Sequence, residues 1–366
     1  MRVLIINAIL FTSYNNVIPK VKSIKDTMIY DLCLGFKNKG CDVVLAAAED
    51  YKPICQEEYP FEIIFFKTSC KKIFKPSLFP FMPELYRYIK ENRNNLDAVI
   101  SSELFSLNSL SAALALPKRT IIWQELGLHN NKMKKIPSKV WYNVVAPLFM
   151  RKCTVVCRSE KAQNFVSRYH KNVKKEIIGH GVNISKLNAS KDKKDHFIVI
   201  ARLVPTKNIS SVINKFILFK NKYPKYSNYK LYIAGNGIME EELKKEVQFL
   251  RETDSIIFLG YTPHEKLNEY LSTAKCFLSD SLLEMCMLSL FEAVTSATPV
   301  VTNLVPYNNH VIKEGNLGIV KDNWNETDIM DIVENNDYYV SNCYNYRNNL
   351  TVEASVNKFL KLIVKL

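Results

Sequence analysis

The feature that most restricts the fold of this chain is a short apolar run, repeated many times, each copy followed by a segment with helical spacing. Arg2-Val-Leu-Ile-Ile-Asn7 is the first copy. An uninterrupted run of this length predicts a parallel strand covered on both faces. Between residues 26 and 39, Met28, Ile29, Leu32 and Phe36 recur at the helical period, and Gly40 closes that helix ahead of a second strand at 41–46. Further strands are predicted at 62–66, 97–101, 119–123 and 153–157, with helices at 106–116 and 141–150. The alternation restarts at 196–201 and continues through strands at 230–234, 255–259 and 274–278, one opening at Val300-Val301, and 319–320. Strand–helix alternation run twice predicts an α/β protein with two doubly wound domains. Residues 188–195 are polar, lysine-rich and without periodicity, as expected of a linker. The expected divisions are 1–187, 188–350 and a terminal helix at 351–366.

At 366 residues the chain is long enough for two cores, and 47% apolar with 23% charged residues is a globular composition. The most apolar long stretch, 98–117, contains Glu103, Asn108 and several serines, which excludes a membrane span. The first ten residues carry Arg2 and no small-residue cleavage site follows, so no secretory signal is expected. Nine cysteines without CxxC spacing read as reduced thiols in a cytoplasmic protein, with no zinc site. The net charge of +14 lies wholly in the first half: residues 1–190 hold 29 Lys+Arg against 15 Asp+Glu, and residues 191–366 hold 21 of each. That asymmetry predicts an anionic partner for the first half. No nucleic-acid-binding motif is present, and an anionic membrane surface on the inner face of the cell membrane fits better. Two basic stretches carry aromatics: 67–75 with Phe74, Phe79 and Phe81 nearby, and 132–139 ahead of Trp141, Tyr142 and Phe149. They read either as an interfacial surface or, for the first, as an aromatic cluster buried under a loop.

The candidate chemistry gathers at predicted strand ends. After the strand at 274–278 come Asp280 and two carboxylates, Glu284 and Glu292, separated by seven residues. Ser289 is the predicted N-cap of a helix from Leu290 to Ser296. The amides of Met287, Leu288 and Ser289 would then face an anion at the positive end of that helix. Carboxylates beside an anion site suit a ligand with hydroxyls for the acids and phosphates for the amides, and a nucleotide-sugar has both. Arg202 and Lys207, five residues apart across a turn, would clamp a diphosphate. Gly235 and Gly237 form a tight turn after the strand at 230–234, and Tyr261 follows the one at 255–259. Gln124 and Glu125 follow the strand at 119–123, with His129 close behind.

These motifs, in this order, resemble the Glu-seven-Glu signature of retaining glycosyltransferases of family 4. The resemblance implies a GT-B fold, two Rossmann-like domains facing each other across a cleft with a C-terminal helix crossing back. It implies that Arg202 and Lys207 neutralise the leaving nucleoside diphosphate, that Glu292 holds the ribose hydroxyls, and that Glu284 meets the donor sugar or the diphosphate end. Where the family commonly has a His near the donor sugar stand Gln124 and Glu125, with His129 a few residues on, and Glu125 reads either as a positioning group or as a base for the acceptor hydroxyl. The chain departs from the family pattern with Ala201 and Asn208 for glycines around Arg202 and Lys207, with Met285 and Met287 beside Glu284, and with no Gly-Gly pair in the loop at 9–16. Residues 177–183 resemble the end of the family's first domain, with His180 and Asn183 altered. The implied reaction transfers a sugar, with retention and without a metal, from a UDP-sugar or GDP-sugar to a glycan or lipid-linked acceptor. Capsule, O-antigen or other surface-polysaccharide synthesis is the expected setting. A GT-B epimerase or phosphorylase and a non-catalytic nucleotide-sugar-binding scaffold are the alternatives.

Overall fold

The structure, a computed structural model, describes residues 1–11, 17–55, 57–130 and 132–366, the side chains of 132 and 133 excepted. Most of the loop at 9–16 therefore lies outside the described residues. The chain forms two units, Met1–Gly181 together with Val352–Leu366, and Val182–Thr351.

The first unit contains seven strands: β1 (Arg2–Ile6), β2 (Asp42–Ala48), β3 (Glu62–Phe66), β4 (Ala98–Ser102), β5 (Thr120–Gln124), β6 (Thr154–Cys157) and β7 (Val173–Ile177). All pair in parallel, in the order β3-β2-β1-β4-β5-β6-β7. β1 lies between β2 and β4, and Val3, Leu4, Ile5 and Ile6 are all buried, as a run apolar on both faces requires. β7 was not legible as a strand: its sequence, Val-Lys-Lys-Glu-Ile, has no apolar run because it sits half exposed at the sheet edge. The apolar segment expected as an ordinary helix at 141–150 is an α-helical turn, Ile136–Val140, running into a π-helix, Trp141–Met150. Pro147 has no N–H and would crowd the carbonyl four residues back in an α-helix, which the wider turn relieves.

The terminal helix, Val352–Ile363, belongs to this unit's core. It packs on the helix Met28–Asn38, where a Cβ added at Gly35 would lie 2.7 Å from a Val352 methyl and 3.0 Å from one of Val356. Glycine at that helical position is what permits the close crossing. Ser355 Oγ donates to Gly179 O (3.1 Å) and Lys358 Nζ to Ile177 O (3.1 Å), fixing the helix to the segment after β7.

The second unit contains β8 (Lys194–Ile200), β9 (Lys230–Ala234), β10 (Ile256–Gly260), β11 (Ala274–Leu278), β12 (Val300–Thr302) and β13 (Gly318–Val320), parallel in the order β10-β9-β8-β11-β12-β13. Both sheets thus reverse their winding beside the first strand, between β1 and β4 and between β8 and β11. Loops at the carboxyl ends of strands flanking such a reversal diverge and leave room for a ligand. The unit opens and closes on paired residues, Val182 N donating to Leu350 O (2.8 Å), so the division falls at Gly181/Val182, ahead of the expected 187/188. The stretch expected as a linker packs onto this unit: Asn188 N donates to Asn268 Oδ1 (2.8 Å), and Lys193 Nζ donates to Ser272 O (2.6 Å) and Thr298 Oγ1 (3.0 Å).

Candidate functional site

In the second unit the candidate residues stand on the loops after β8 and β11, on either side of the reversal. After β8, Ala201 N donates to Ala234 O (3.0 Å) and Leu203 N to Asn236 O (2.9 Å). Gly235, at φ +128°, would with a Cβ meet Ala201 O at 1.9 Å, and a Cβ at Gly237 would meet Leu203 O at 2.2 Å. The two glycines therefore interlock with the backbone that carries Arg202, and their first task is to position that loop. Gly235→Ala is expected to destabilise the protein by about 1–3 kcal/mol through the positive φ alone and to weaken nucleotide affinity by displacing Arg202. Urea unfolding beside a nucleotide titration checks this, and unchanged values in both would show that the loop yields without consequence.

Lys207 ends a short 3₁₀ turn, Pro205–Lys207, and Asn208 follows at φ 52°, ψ 43° before the helix Ile209–Lys222. Asn tolerates this left-handed conformation better than most residues, which is how the chain does without a glycine there. Lys207 Nζ is in a tight ion pair with Glu284 Oε2, the two side chains only 12% and 18% exposed. Leu282 N donates to Thr206 O (2.8 Å), tying the loop after β11 to the one after β8. Burial pulls the Lys207 ammonium down to about 8 and Arg202 pushes it the same way. The Arg202 guanidinium is exposed and makes no hydrogen bond or ion pair among the described residues.

Asp280 is buried and fully engaged. Its Oδ2 accepts from Lys215 Nζ (2.7 Å) and Ser211 Oγ (2.6 Å), and its Oδ1 from Asn303 Nδ2 (3.1 Å). It frames the loop that presents Glu284. The following helix, Leu288–Thr295, starts two residues earlier than expected, with Met287 rather than Ser289 at the N-cap. Asn308, on a distant loop, holds the N-cap residue by its own backbone: Met287 N donates to Asn308 Oδ1 (3.0 Å), and Asn308 Nδ2 donates to Met287 O (2.9 Å). The Met287 amide is thus taken, whereas Leu288 and Ser289 lie in the first turn, where no intrahelical carbonyl reaches their N–H groups. Glu292 is half-buried, and its carboxylate meets no hydrogen-bond or ion-pair partner among the described residues. Burial raises its carboxyl above the ordinary range, against the pull of His264 and Lys186. Tyr261 stands 78% exposed just past β10, after Gly260 at φ 64°.

In the first unit the loops after β4, β5 and β6 bring together Glu103, Glu125 and Arg158, with His180 beside them. Arg158 Nη1 donates to Glu125 Oε2 (2.6 Å) and lies 2.8 Å from His180 Nε2, while Nη2 donates to Ser102 Oγ (3.2 Å). The guanidinium covers the Trp123 ring at 3.8 Å. Burial would push the Glu125 carboxyl up, but Arg158 and His180 more than offset it and hold it at about 2. Glu103, at φ 67°, accepts from the amides of Glu125 (2.8 Å) and Leu126 (3.2 Å) and so clamps the turn after β5. Burial raises its carboxyl to about 7, Arg158 opposing and Glu125 adding.

Two expected acceptor-side residues lie elsewhere. Gln124 is 0% exposed and spent on the frame: its Oε1 accepts from Leu104 N (2.8 Å), and its Nε2 donates to Leu126 O (2.9 Å) and Tyr142 Oη (3.2 Å). It has nothing left to offer a ligand. His129 sits among Tyr142, Phe165 and Tyr169, with its ring nitrogens at Ser138 Oγ (3.1 Å) and Tyr169 Oη (3.0 Å). The histidine that neighbours Glu125 is His180. Glu103 and Arg158 are each the first residue past a strand, so the strand-end rule that singled out Glu125 also points to them. Among the described residues, no group of three His, Cys, Asp or Glu side chains is placed to hold a metal ion.

Residues 183–350, nearly the whole second unit, match the family model Glycosyl transferases group 1. The chain is 27% identical over 180 residues to an alpha-monoglucosyldiacylglycerol synthase of Streptococcus pneumoniae, a match covering 45% of this chain and 40% of that protein. It therefore spans well under half the length of that relative. Among solved structures, the whole chain superposes with a TM-score of 0.72 on a sucrose-phosphate synthase from Thermosynechococcus elongatus, 14% identical and covered over 98% of its length. It superposes with a TM-score of 0.69 on the Anabaena protein HepE in complex with UDP, 12% identical, over the full length of both chains. Likeness at these identities speaks for the fold, which is GT-B: two Rossmann-like units, each with a parallel sheet.

Proposed function

We propose, from the premise that residues 183–350 form a Glycosyl transferases group 1 domain, that this chain is a retaining glycosyltransferase of family 4. It moves a sugar from a nucleoside-diphosphate-sugar to a hydroxyl of a glycan or lipid-linked acceptor. The observation that carries the reading is the largely buried Lys207–Glu284 pair with the unpartnered, exposed Arg202 guanidinium close by, at the reversal of the second sheet. Two cations at one strand end supply the charge that a departing diphosphate needs, and fixed charges aimed where negative charge develops lower the barrier without reorganisation. No metal is required in this scheme, because Arg202 and Lys207 fill that electrostatic role.

The donor's phosphates lie against Arg202, Lys207 and the amides of Leu288 and Ser289. Glu292, half-buried and without a partner, accepts from the ribose hydroxyls, and Tyr261 flanks the base. Glu284 meets a sugar hydroxyl or the diphosphate end. Gly235 and Gly237 hold the Arg202 loop in place. Glu125, ionised and held by Arg158, acts as a positioning carboxylate rather than a base. UDP is the favoured nucleotide, since HepE was solved with it. A lipid-held acceptor is favoured by the diacylglycerol in the name of the Streptococcus relative. Surface-glycan or glycolipid assembly is the setting, with peripheral attachment to the inner face of the membrane.

The test is a thermal-shift panel of UDP, GDP, ADP and CMP across pH. One diphosphate should raise the melting temperature, by about 2.7 kcal/mol of stabilisation at a hundredfold excess over its Kd. Phosphate binding needs Lys207 charged, and burial holds its ammonium at about 8. Affinity is therefore expected to fall as pH rises through about 8. Arg202→Ala removes the like-charge push, so the fall should move to higher pH although affinity drops. No shift with any nucleotide, in protein shown to be folded, would overturn the donor-site reading.

A further inference from the structure

The first unit carries a surface that the reaction does not use. Ile136, Val140, Val144, Leu148 and Phe149 are large apolar side chains exposed along the helical segment 136–150, Leu148 at 64%. The spacing suits the helix type, because a π-helix takes more residues per turn than an α-helix and lines up residues roughly four to five apart. Of the three aromatics expected at an interface only Phe149 faces outward, and the other two are turned the other way. Tyr142 is buried, and Trp141 is half-buried with its Nε1 donating to Leu104 O (2.7 Å).

Cations flank the apolar stripe at both ends. Lys134, Lys135 and Lys139 lie before or within its first turn, and Arg151 and Lys152 follow it, all five exposed. None of the five is in an ion pair among the described residues, and residues 126–159 contain no Asp or Glu at all. Lys134 and Lys135 are both held at positive φ, 53° and 68°, a conformation that non-glycine residues seldom take twice running. A second basic loop is linked to the segment through Phe105. Phe79 meets Phe105 at 5.7 Å and Phe105 meets Trp141 at 5.5 Å, which places the loop bearing Lys72, Ile73 and Lys75 nearby. Phe74 and Phe81 pack on each other at 5.9 Å, and the apolar side chain that this loop exposes is Ile73, at 77%.

An exposed apolar stripe bordered by unpaired cations, without a single carboxylate, is complementary to one kind of surface. We propose that the outer face of residues 136–150 docks on an anionic lipid bilayer, its aliphatic side chains entering the headgroup boundary and its flanking cations meeting lipid phosphates. A helix lying in the interface gains from both contributions, buried apolar area and attraction to anionic headgroups. A second copy of the chain docking through the same face would set these cations against one another. Nucleic acid would leave the aliphatic stripe in water. In purpose the inference rests on the lipid-held acceptor proposed above, although its geometry is independent of the donor site.

The test is flotation of the full chain with vesicles of phosphatidylcholine alone and of phosphatidylcholine mixed with phosphatidylglycerol, at low and high salt. The protein should float with the mixed vesicles only, and high salt should release most of it. Lys139→Ala is expected to lower partitioning about fivefold, and Leu148→Ser or Phe149→Ser roughly tenfold. All three positions are exposed, so melting temperature and the nucleotide-induced shift should stay at wild-type values, which separates failure here from failure of the donor site. Equal flotation with both vesicle types would overturn the proposal, as would unchanged flotation in the Leu148 and Phe149 variants. So would a sedimentation dimer that these variants convert to monomer, which would give the face to self-association instead.

Discussion

Replacing Lys207 by Ala is expected to lower kcat/KM for sugar transfer by about a hundred- to a thousandfold, the loss found when one preorganised charge-stabilising group is removed from a reacting centre. A second effect comes with it. Lys207 and Glu284 are a largely buried pair, and deleting one partner of such a pair costs about 3–5 kcal/mol because the other is left buried and uncompensated. Melting temperature and transfer must therefore be read together. Glu284→Gln also leaves its partner without a counter-charge, but it keeps the ammonium for the diphosphate. Nucleoside diphosphate affinity should survive in Glu284→Gln while transfer falls. Retention of transfer within a few-fold in Lys207→Ala would show that this ammonium does not neutralise the leaving group.

Phe359→Ala should destabilise the first unit by about 3–5 kcal/mol, the cost of removing a fully buried ring. Phe359 is wholly buried and meets Phe36 at 5.9 Å and Trp123 at 5.4 Å. Trp123 in turn carries the Arg158 guanidinium at 3.8 Å and the His180 ring at 4.9 Å. The terminal helix thus props the platform on which Arg158 holds Glu125. In calorimetry the first unit's transition should fall while the second unit's stays in place. Equal movement of both would mean that the two units melt as one.

Most of the sheet framework was readable because its strands are buried on both faces and so declare themselves as apolar runs. The strand-end positions of Arg202, Lys207, Glu125 and the Glu284 loop follow from that framework. Asn208, standing where the family pattern has a glycine, takes a left-handed conformation at φ 52°, which Asn tolerates better than most residues. What stayed hidden depends on partners far along the chain. Asn308 anchors the backbone of Met287 from 21 residues away, and the helix starts there in place of the locally preferred Ser289. Arg158 reaches Glu125 across 33 residues and His180 across 22. Local spacing says nothing of such meetings. It also cannot tell that Gln124 points inward to bond Leu104 and Tyr142 while Glu125, the next residue, meets Arg158.

The first unit is assembled from two stretches of chain, Met1–Gly181 and Val352–Leu366, with the whole of the second unit between them. On a ribosome, which delivers residues in order, the second unit is therefore complete before the segment that closes the first has been made. Until then the apolar faces of the helix Met28–Asn38 and of Trp123 stay open to water or to chaperones. The order of folding is thus expected to invert the order of synthesis, the later unit maturing first.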